Sequence, residues 1–486
     1  MIRRAHNTTD ATDIADVQNA DSVLPCDAGR DVSACGRRIA LLTPYTGGNL
    51  GDAAIQDALI ANLRLRLPTA QFSGICLNGD NFVERHGTGF FPLCGSNGQF
   101  YRMYSGTLTN QPEDGRSAAQ IANDSTRRSS SMKQAVKQVP GSSWLQPIYR
   151  ATKRVYQELR HCAGAYLFLS TQDLLIVSGG GQLDEEWGGP WGHPFALFKW
   201  AVLARIARVP YIVASVGACK ITSTTSRFFL SAALRMAQYR SYRDKNSRKI
   251  AVSLLKRTAR DPIVPDIAFS LPSSELPPPA GIRSISGGRK VVAISLIAYA
   301  KPGSWPYEEQ FLYDRYVQQM ADVVTQLLDR DYFLVITCSS LGDDERVITE
   351  LLQRLDDRCR EVVARQMHIP KVRAWKDLVA SLRDIDFLIA SRLHSAILGF
   401  LTQIPTVAIS FDSKVDWVME DLGQTDYLLH IRDFTSEDVI EALSRIEFRR
   451  NLVVGQIRSY QLDVLSVSAR QYDALVEFAT ASHQSQ

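Results

Sequence analysis

Short apolar runs alternate with helix-spaced segments along most of this 486-residue chain, in two separate blocks. The first block opens at Arg38 with IALLTPY, a run with the character of a buried parallel strand. A glycine-rich turn, Thr46 to Gly51, leads into AAIQDALIANLRLRL, where Ile55, Leu59, Ile60, Leu63 and Leu67 fall at helical spacing, and a second strand follows at Phe72–Leu77. Strand, turn, helix, strand is a βαβ unit, whose two strands run parallel. The rhythm returns in DLLIVSG, PFALFKWAVLARIAR and PYIVASVG, then in a helix around Arg227–Ala237, a strand near Tyr239–Tyr242 and a helix from Asn246 to Lys256. The second block runs through KVVAISL, Glu308–Leu328, YFLVITCS, Asp344–Leu355, DFLIASR, SAILGFLTQ, PTVAISF and Val415–Leu422, and ends in helices SEDVIEALSRI and Val454–Ala479. This pattern predicts an α/β fold of two doubly wound parallel-sheet, Rossmann-like domains facing a cleft.

The polar, proline-rich segment SLPSSELPPPAG, Ser270 to Gly281, reads as the linker between the blocks. The expected division is a disordered tail at 1–36, an N-terminal domain at 37–270, a linker at 271–283, a C-terminal domain at 284–453, and a C-terminal helix and tail at 454–486. Within the first domain, 79–141 dissolves into Gly, Asn, Ser, Gln and Thr and reads as a mobile insertion, partly ordered around Phe90–Leu93 and Tyr101–Tyr104. After it, Trp144, Leu145, Ile148, Val155, Tyr156 and Leu159 form an apolar stripe flanked by Arg150, Lys153, Arg154 and Arg160. Such a helix covers its domain with the stripe; in the alternative reading it presents a basic amphipathic surface to an anionic membrane.

Composition excludes several classes. Lys+Arg 55 against Asp+Glu 51 is too balanced for a nucleic-acid binder of this size. The eight cysteines contain no C-x-x-C pair and no Cys/His zinc spacing, so neither a disulfide framework nor a metal site is expected, and reduced cysteines in the cytoplasm are the plain reading. No apolar h-region follows Arg3 and Arg4, so no secretory signal is expected. The longest apolar stretch, Pro194 to Ala218, is broken by Lys199, Arg205, Arg208 and Pro210, which argues against a transmembrane segment.

Ligands of doubly wound sheets lie beyond the carboxyl ends of the strands, so the residues just after each strand carry the functional expectation. The turn T-G-G-N-L-G-D, Thr46 to Asp52, has glycines that let backbone approach a ligand and a helix N-terminus that favours an anion; Asp52 is either a site carboxylate or the helix cap. The loop G-G-G-Q-L-D-E-E-W-G-G-P-W-G-H-P, Gly179 to Pro194, offers Asp184, Glu185 and Glu186 as bases, His193 for proton transfer, and Trp187 and Trp191 as flat faces for a sugar ring. Its alternative is a solvated acidic loop. In S-Y-R-D-K-N-S, Ser241 to Ser247, Arg243 is placed to fork onto a carboxylate or phosphate, or else to form a structural network with Asp244. In A-S-R-L-H-S-A, Ala390 to Ala396, Arg392, His394 and a helix dipole converge on one anion, and Lys414 adds a cation after the next strand. A packed polar histidine is the competing reading of His394.

Taken in order, GGNLGD, the GGG loop, SYRDKNS, VPDIAF at 264–269, SRLHSAI and ISFDSKV resemble the polysaccharide pyruvyl transferase family over about residues 38 to 425. GACK at 217–220 stands where that pattern leads one to expect a glycine-rich turn. The resemblance implies a GT-B-like fold and a cytoplasmic transferase. Such an enzyme moves pyruvate from phosphoenolpyruvate, its donor substrate, onto a sugar of an exopolysaccharide or a lipid-linked precursor as a ketal, with no cofactor. It implies Arg243, Arg392 and His394 as donor-binding positions, with Lys414 beside them. The glycine loops, including Gly48, Asn49, Asp52, Gly180, Gly181, Glu185 and Trp187, would meet the acceptor. His394 is the expected proton donor, and Asp184, Glu185 or His193 the expected base. A GT-B nucleotide-sugar glycosyltransferase of polysaccharide biosynthesis is the alternative activity. Glycan or lipid-linked oligosaccharide is the expected partner, with peripheral contact at the inner face of a membrane if the basic helix is read that way.

Overall fold

The computed structural model describes residues 36–45, 47–95, 145–186, 188–256, 260–303, 308–355 and 360–481. The first sheet is built from β1 (Arg38–Leu42), α1 (Leu50–Arg66), β2 (Gln71–Cys76), α2 (Gly79–His86) and β3 (Phe90–Pro92). It continues through α3 (Leu145–Leu169), β4 (Leu174–Ser178), α4 (His193–Ala207), β5 (Tyr211–Val216), α5 (Thr224–Met236), β6 (Tyr239–Tyr242) and α6 (Lys245–Leu255). After a short helix, α7 (Ile282–Ile285), the second sheet begins with β7 (Val291–Leu296), α8 (Gln310–Asp329), β8 (Phe333–Cys338), α9 (Asp343–Arg354), α10 (Arg360–Gln366) and β9 (Met367–His368). It ends with α11 (Trp375–Leu382), β10 (Phe387–Ala390), α12 (Leu393–Leu401), β11 (Thr406–Ser410), α13 (Ser413–Asp421), β12 (Leu428–His430), α14 (Ser436–Phe448) and α15 (Arg450–Ala481).

Both sheets are six-stranded and parallel, in the orders β3-β2-β1-β4-β5-β6 and β12-β11-β10-β7-β8-β9. These are the same topology, each with its reversal of strand order at the first and fourth strands. Every residue of β4, β5, β7, β8 and β11 is buried. Helices on both faces produce this burial, and it is why these strands read as unbroken apolar runs.

The segment expected to be an insertion begins inside the fold. Residues 79–95 supply α2 and the edge strand β3, which pairs with β2 from Gly74↔Phe90 to Cys76↔Pro92, and Phe82 is fully buried. The polar composition of 79–89 reflects a solvent-facing helix, capped by Asn78, rather than a loop. The tail to residue 35, the rest of the expected insertion to 141 with Tyr101–Tyr104, and Trp144 and Trp187 lie outside the described residues. The outward stripe of α3 also differs from the expectation: Val155, Tyr156 and Leu159 face solvent, and Ala165 and Leu169 on another face are buried.

Two connections fix one half on the other. The Leu50 N–H donates to the Ser339 carbonyl (3.0 Å) and the Leu341 N–H to the Gly48 carbonyl (2.8 Å), an antiparallel backbone clasp between the turn after β1 and the turn after β8. The C-terminal helix α15 then returns to the first half. Arg66 pairs with Asp473 at 2.7 Å, Tyr472 hydroxyl bonds Ser270 at 2.6 Å, and Gln471 is buried between Ser215 and Ser241, donating to Ser215 Oγ at 3.0 Å. Ile457, Val464 and Leu475 join the apolar cluster that runs unbroken from the first sheet into the second. Gln471→Ala strands two buried serine hydroxyls, so chemical denaturation should report a loss of about 1–3 kcal/mol.

Candidate active site

A cavity of about 670 Å³ opens where the carboxyl ends of the two sheets face each other. Thr43 after β1, Gly179 to Gln182 after β4 and Arg243 after β6 line it from one side. Tyr299 after β7, Ser339 after β8, Arg392 to His394 after β10 and Lys414 after β11 line it from the other. Both switch points therefore open on one space, as the topology requires.

Helix α12 is held by its neighbours: Ser395 hydroxyl bonds Ser295 of β7 (2.6 Å), and Ser391 accepts from Tyr316 (2.9 Å). No side chain caps its N-terminus, whereas Asn49 caps α1, Asp244 caps α6 and Asp412 caps α13. The open amides of α12 face the cavity and suit an anion. His394, in the first turn, lies against α1 so closely that a Cβ at Gly51 would be 1.9 Å from its Cγ. Glycine at 51 is thus required by the packing of one half on the other.

Asp266 joins the halves chemically. Its Oδ2 lies 3.4 Å from Arg243 Nη1 and 3.8 Å from His394 Nε2, while its Oδ1 accepts the Ala268 N–H (3.0 Å). Burial pushes the Asp266 carboxyl up, but the His394 and Arg243 side chains and the Ala268 amide outweigh it and hold the group below the usual carboxylate range. Arg243 is almost wholly buried; among the described residues its Nη2 makes no hydrogen bond, and His394 Nε2 has the Asp266 carboxylate at 3.8 Å rather than a close hydrogen-bond partner. Gly217 makes room for this guanidinium, since a Cβ there would be 2.7 Å from Nη2.

Asp52 faces the same space from α1. Burial raises its carboxyl above the ordinary value, against the opposing influence of His394. Lys414 reaches across to the triple-glycine loop, its Nζ 3.8 Å from the Cβ position of Gly181 and 3.5 Å from Asp412 Oδ2. Burial works against its ammonium, and the Cys219 sulfur with the Asp412 and Asp184 carboxylates outweighs it, so the lysine pKa is raised. The Glu186 carboxyl is also raised, by burial and by Asp184 beside it.

A family model described as polysaccharide pyruvyl transferase matches residues 49–413, most of the chain. The chain belongs to the polysaccharide pyruvyl transferase family. Similar solved structures include a protein described as a UDP-N-acetylglucosamine 2-epimerase from Listeria monocytogenes, at 9% identity and TM-score 0.55, covering 91% of this chain and 96% of that one. The UDP-N-acetylglucosamine 2-epimerase of Neisseria meningitidis bound to UDP-GlcNAc matches at 9% and 0.50, over 91% and 100%. The glycosyltransferase of kitacinnamycin matches at 13% and 0.50, over 91% and 99%. At such identities these likenesses show the fold, which is GT-B-like.

In this pyruvyl transferase the cavity brings together Asn49, Asp52, Gly180, Gly181, Asp184, Arg243, Arg392, His394 and Lys414. Five expectations are corrected or decided. His193 is fully buried and does not line the cavity; its Nε2 meets Gln182 Oε1 at 2.9 Å, and burial lowers its pKa to about 4, so it is a neutral support rather than a base. Glu185 accepts from the Thr222 and Ser223 amides (2.6 and 3.1 Å) at the start of α5, which makes it a structural cap. Gly48 is held in the backbone clasp, and Trp191 packs outside the cavity against Phe195 (5.5 Å, tilted) and Phe229 (5.3 Å, edge-on). Asp52 is not the cap of α1, since Asn49 Oδ1 takes the Gly51 and Asp52 amides (3.0 and 3.4 Å).

Arg392 lines the cavity, but its fork is engaged: Nε and Nη2 donate to both oxygens of the fully buried Asp344 (2.9 and 2.8 Å). Sequence reasoning passed over Asp266, Asp344, Tyr299, Phe411, Glu309 and Arg432. Asp266 had a signal, because VPDIAF was among the matching motifs.

Gly51→Ala should displace the His394 ring and lower turnover by about 10² or more, the scale of a 1 Å misplacement, measured by steady-state kinetics on protein with unchanged circular dichroism. Folded Asp52 holds its proton to a higher pH than the unfolded chain does. Its favourable contribution is therefore present at low pH and lost as pH rises through the raised pKa. Asp52→Asn should raise the melting midpoint by on the order of a few degrees at neutral pH, with the gain shrinking towards pH 4.

Proposed function

We propose that this enzyme transfers the pyruvate skeleton of phosphoenolpyruvate to a sugar of a cell-surface polysaccharide or its lipid-linked precursor, forming a ketal and releasing phosphate. The observation that carries the reading is a pair of buried nitrogens with hydrogen-bonding capacity to spare among the described residues, Arg243 Nη2 and His394 Nε2, the latter backed at 3.8 Å by Asp266, beside the uncapped start of α12. A small ligand with a carboxylate and a phosphate satisfies all three. Lys414 supplies a further charge from α13, and Arg392, locked on Asp344, adds positive potential rather than a free fork.

His394, with the Asp266 carboxylate behind it, is positioned to give a proton to the methylene carbon. C2 then becomes electrophilic and one sugar hydroxyl adds to it, losing its proton to a carboxylate. Asp52 fits that role better than His193, because it lines the cavity and its raised pKa suits a base; Asp184 is another of the carboxylates lining the space. A second hydroxyl displaces phosphate. One hydroxyl proton ends on the new methyl group and the other on phosphate, so the reaction balances without a cofactor.

Incubation with phosphoenolpyruvate and candidate glycans should release phosphate together with the mass gain of a pyruvate ketal on the sugar. His394→Ala should lower that rate by about 10²–10⁴; an unchanged rate would remove the residue from the chemistry. Phosphoenolpyruvate should raise the melting midpoint where UDP- and GDP-sugars do not, and the reverse pattern would favour a nucleotide-sugar glycosyltransferase.

A further inference from the structure

Helix α3 turns the wrong side outward for a helix that only covers a sheet. Val155, Tyr156, Leu159 and Leu167 are 59%, 67%, 65% and 65% exposed, and Tyr166 is exposed beside them. These positions fall three, four and seven apart on one helical face. The inward face is mixed, with Ala165 and Leu169 in the core and a buried polar network beside them. Glu158 Oε1 accepts from the buried Lys199 of α4 (2.6 Å), Lys199 also lies 3.4 Å from His161 Nδ1, and His161 Nε2 donates to the Pro92 carbonyl (2.8 Å). Glu158, His161 and Cys162 are close enough to hold a metal ion, but the Lys199 ammonium already occupies the carboxylate and disfavours a second cation. This network fixes the rotation of α3, so the apolar stripe cannot turn inward without breaking a buried ion pair.

Charge indicates what the stripe meets. Residues 127–160 carry eight basic side chains, Arg127, Arg128, Lys133, Lys137, Arg150, Lys153, Arg154 and Arg160, against one acidic side chain, Glu158. That single carboxylate is the one paired with Lys199 on the inward face. Exposed Arg160 lies within the stripe. A second copy of the same face would set these charges against each other, and the chain that precedes α3 is itself basic. An apolar stripe with exposed Arg160 next to Leu159, in a stretch of sequence this basic, instead matches the boundary between anionic headgroups and acyl chains. No helix among the described residues is long and apolar enough to cross a membrane, so the contact is in the plane of the surface.

We infer that the outward face of α3 is a docking surface for an anionic phospholipid bilayer, which α3 enters side-on through Val155, Leu159 and Leu167. The inference does not depend on the reaction, and its test uses neither donor nor acceptor. Full-length protein is co-sedimented with phosphatidylcholine vesicles, with or without about 30% phosphatidylglycerol. Binding should require the anionic lipid and weaken with salt. Leu159→Glu with Leu167→Glu should reduce the bound fraction by at least about tenfold, and Arg160→Glu by less. Both side chains are exposed, so these variants should keep the wild-type melting midpoint. Three outcomes overturn the inference: wild-type protein that does not bind anionic vesicles, a double variant that binds undiminished, or a wild-type dimer that the double variant converts to monomer. In the last case the stripe is an interface between copies.

Discussion

The contact on which this molecule depends is that between the backbone of Gly51 and the imidazole of His394. It brings the first turn of α1, from one sheet, against the first turn of α12, from the other. Two helix N-termini then point into one cavity, and their partial positive charges oppose each other unless something negative lies between them. The fold supplies part of that charge. Asn49 takes the leading amides of α1, while Asp266 lies between Arg243 and His394. The start of α12 is left for a ligand. The backbone clasp from Gly48 to Leu341, and the return of α15 to the first sheet, keep the two turns at this distance.

That constraint explains a charge distribution that differs from a simple basic pocket. Each cation at the cavity already faces a carboxylate: Arg392 has Asp344, Arg432 has Glu309, Lys414 has Asp412, and Arg243 has Asp266. The buried pairs hold their cations in place before a ligand arrives, whereas the exposed Arg432–Glu309 pair is screened by solvent. Selectivity for an anion then comes from what the pairs leave over, Arg243 Nη2 and the uncapped start of α12, together with carboxyls able to hold a proton. Asp52 and Glu186, both raised by burial, are such groups. A nearly neutral chain can therefore recognise a highly charged small molecule without concentrating unpaired charge.

Much of this was legible in the sequence, for physical reasons. Strands buried on both faces leave continuous apolar runs, so the central strands of both sheets and the residues following them could be located. The strands β3, β9 and β12, of three, two and three residues, leave no such trace. Pairings distant in sequence were equally invisible: Asp344 lies 48 residues from the Arg392 whose fork it occupies. The orientation of α3 was open for a different reason. Its apolar residues do not by themselves say which face a domain covers; the ion pair of Glu158 with Lys199 decides it, and only the fold brings those side chains together.

His193 and His394 show what pattern alone leaves undecided. Both stand in the first turn of a helix, and both looked able to move a proton. His193 follows a glycine loop into a site with no exposure, where burial removes its charge and Gln182 satisfies one ring nitrogen. His394 enters the cavity with the Asp266 carboxylate 3.8 Å from its Nε2. His394 itself, then Arg243 and the Ala268 amide, hold the Asp266 carboxyl below its ordinary range, so histidine and carboxylate support each other across the two halves of the molecule. A proton-transfer group is thus defined here by the charge and dielectric around it, and those exist only when the two sheets are held together.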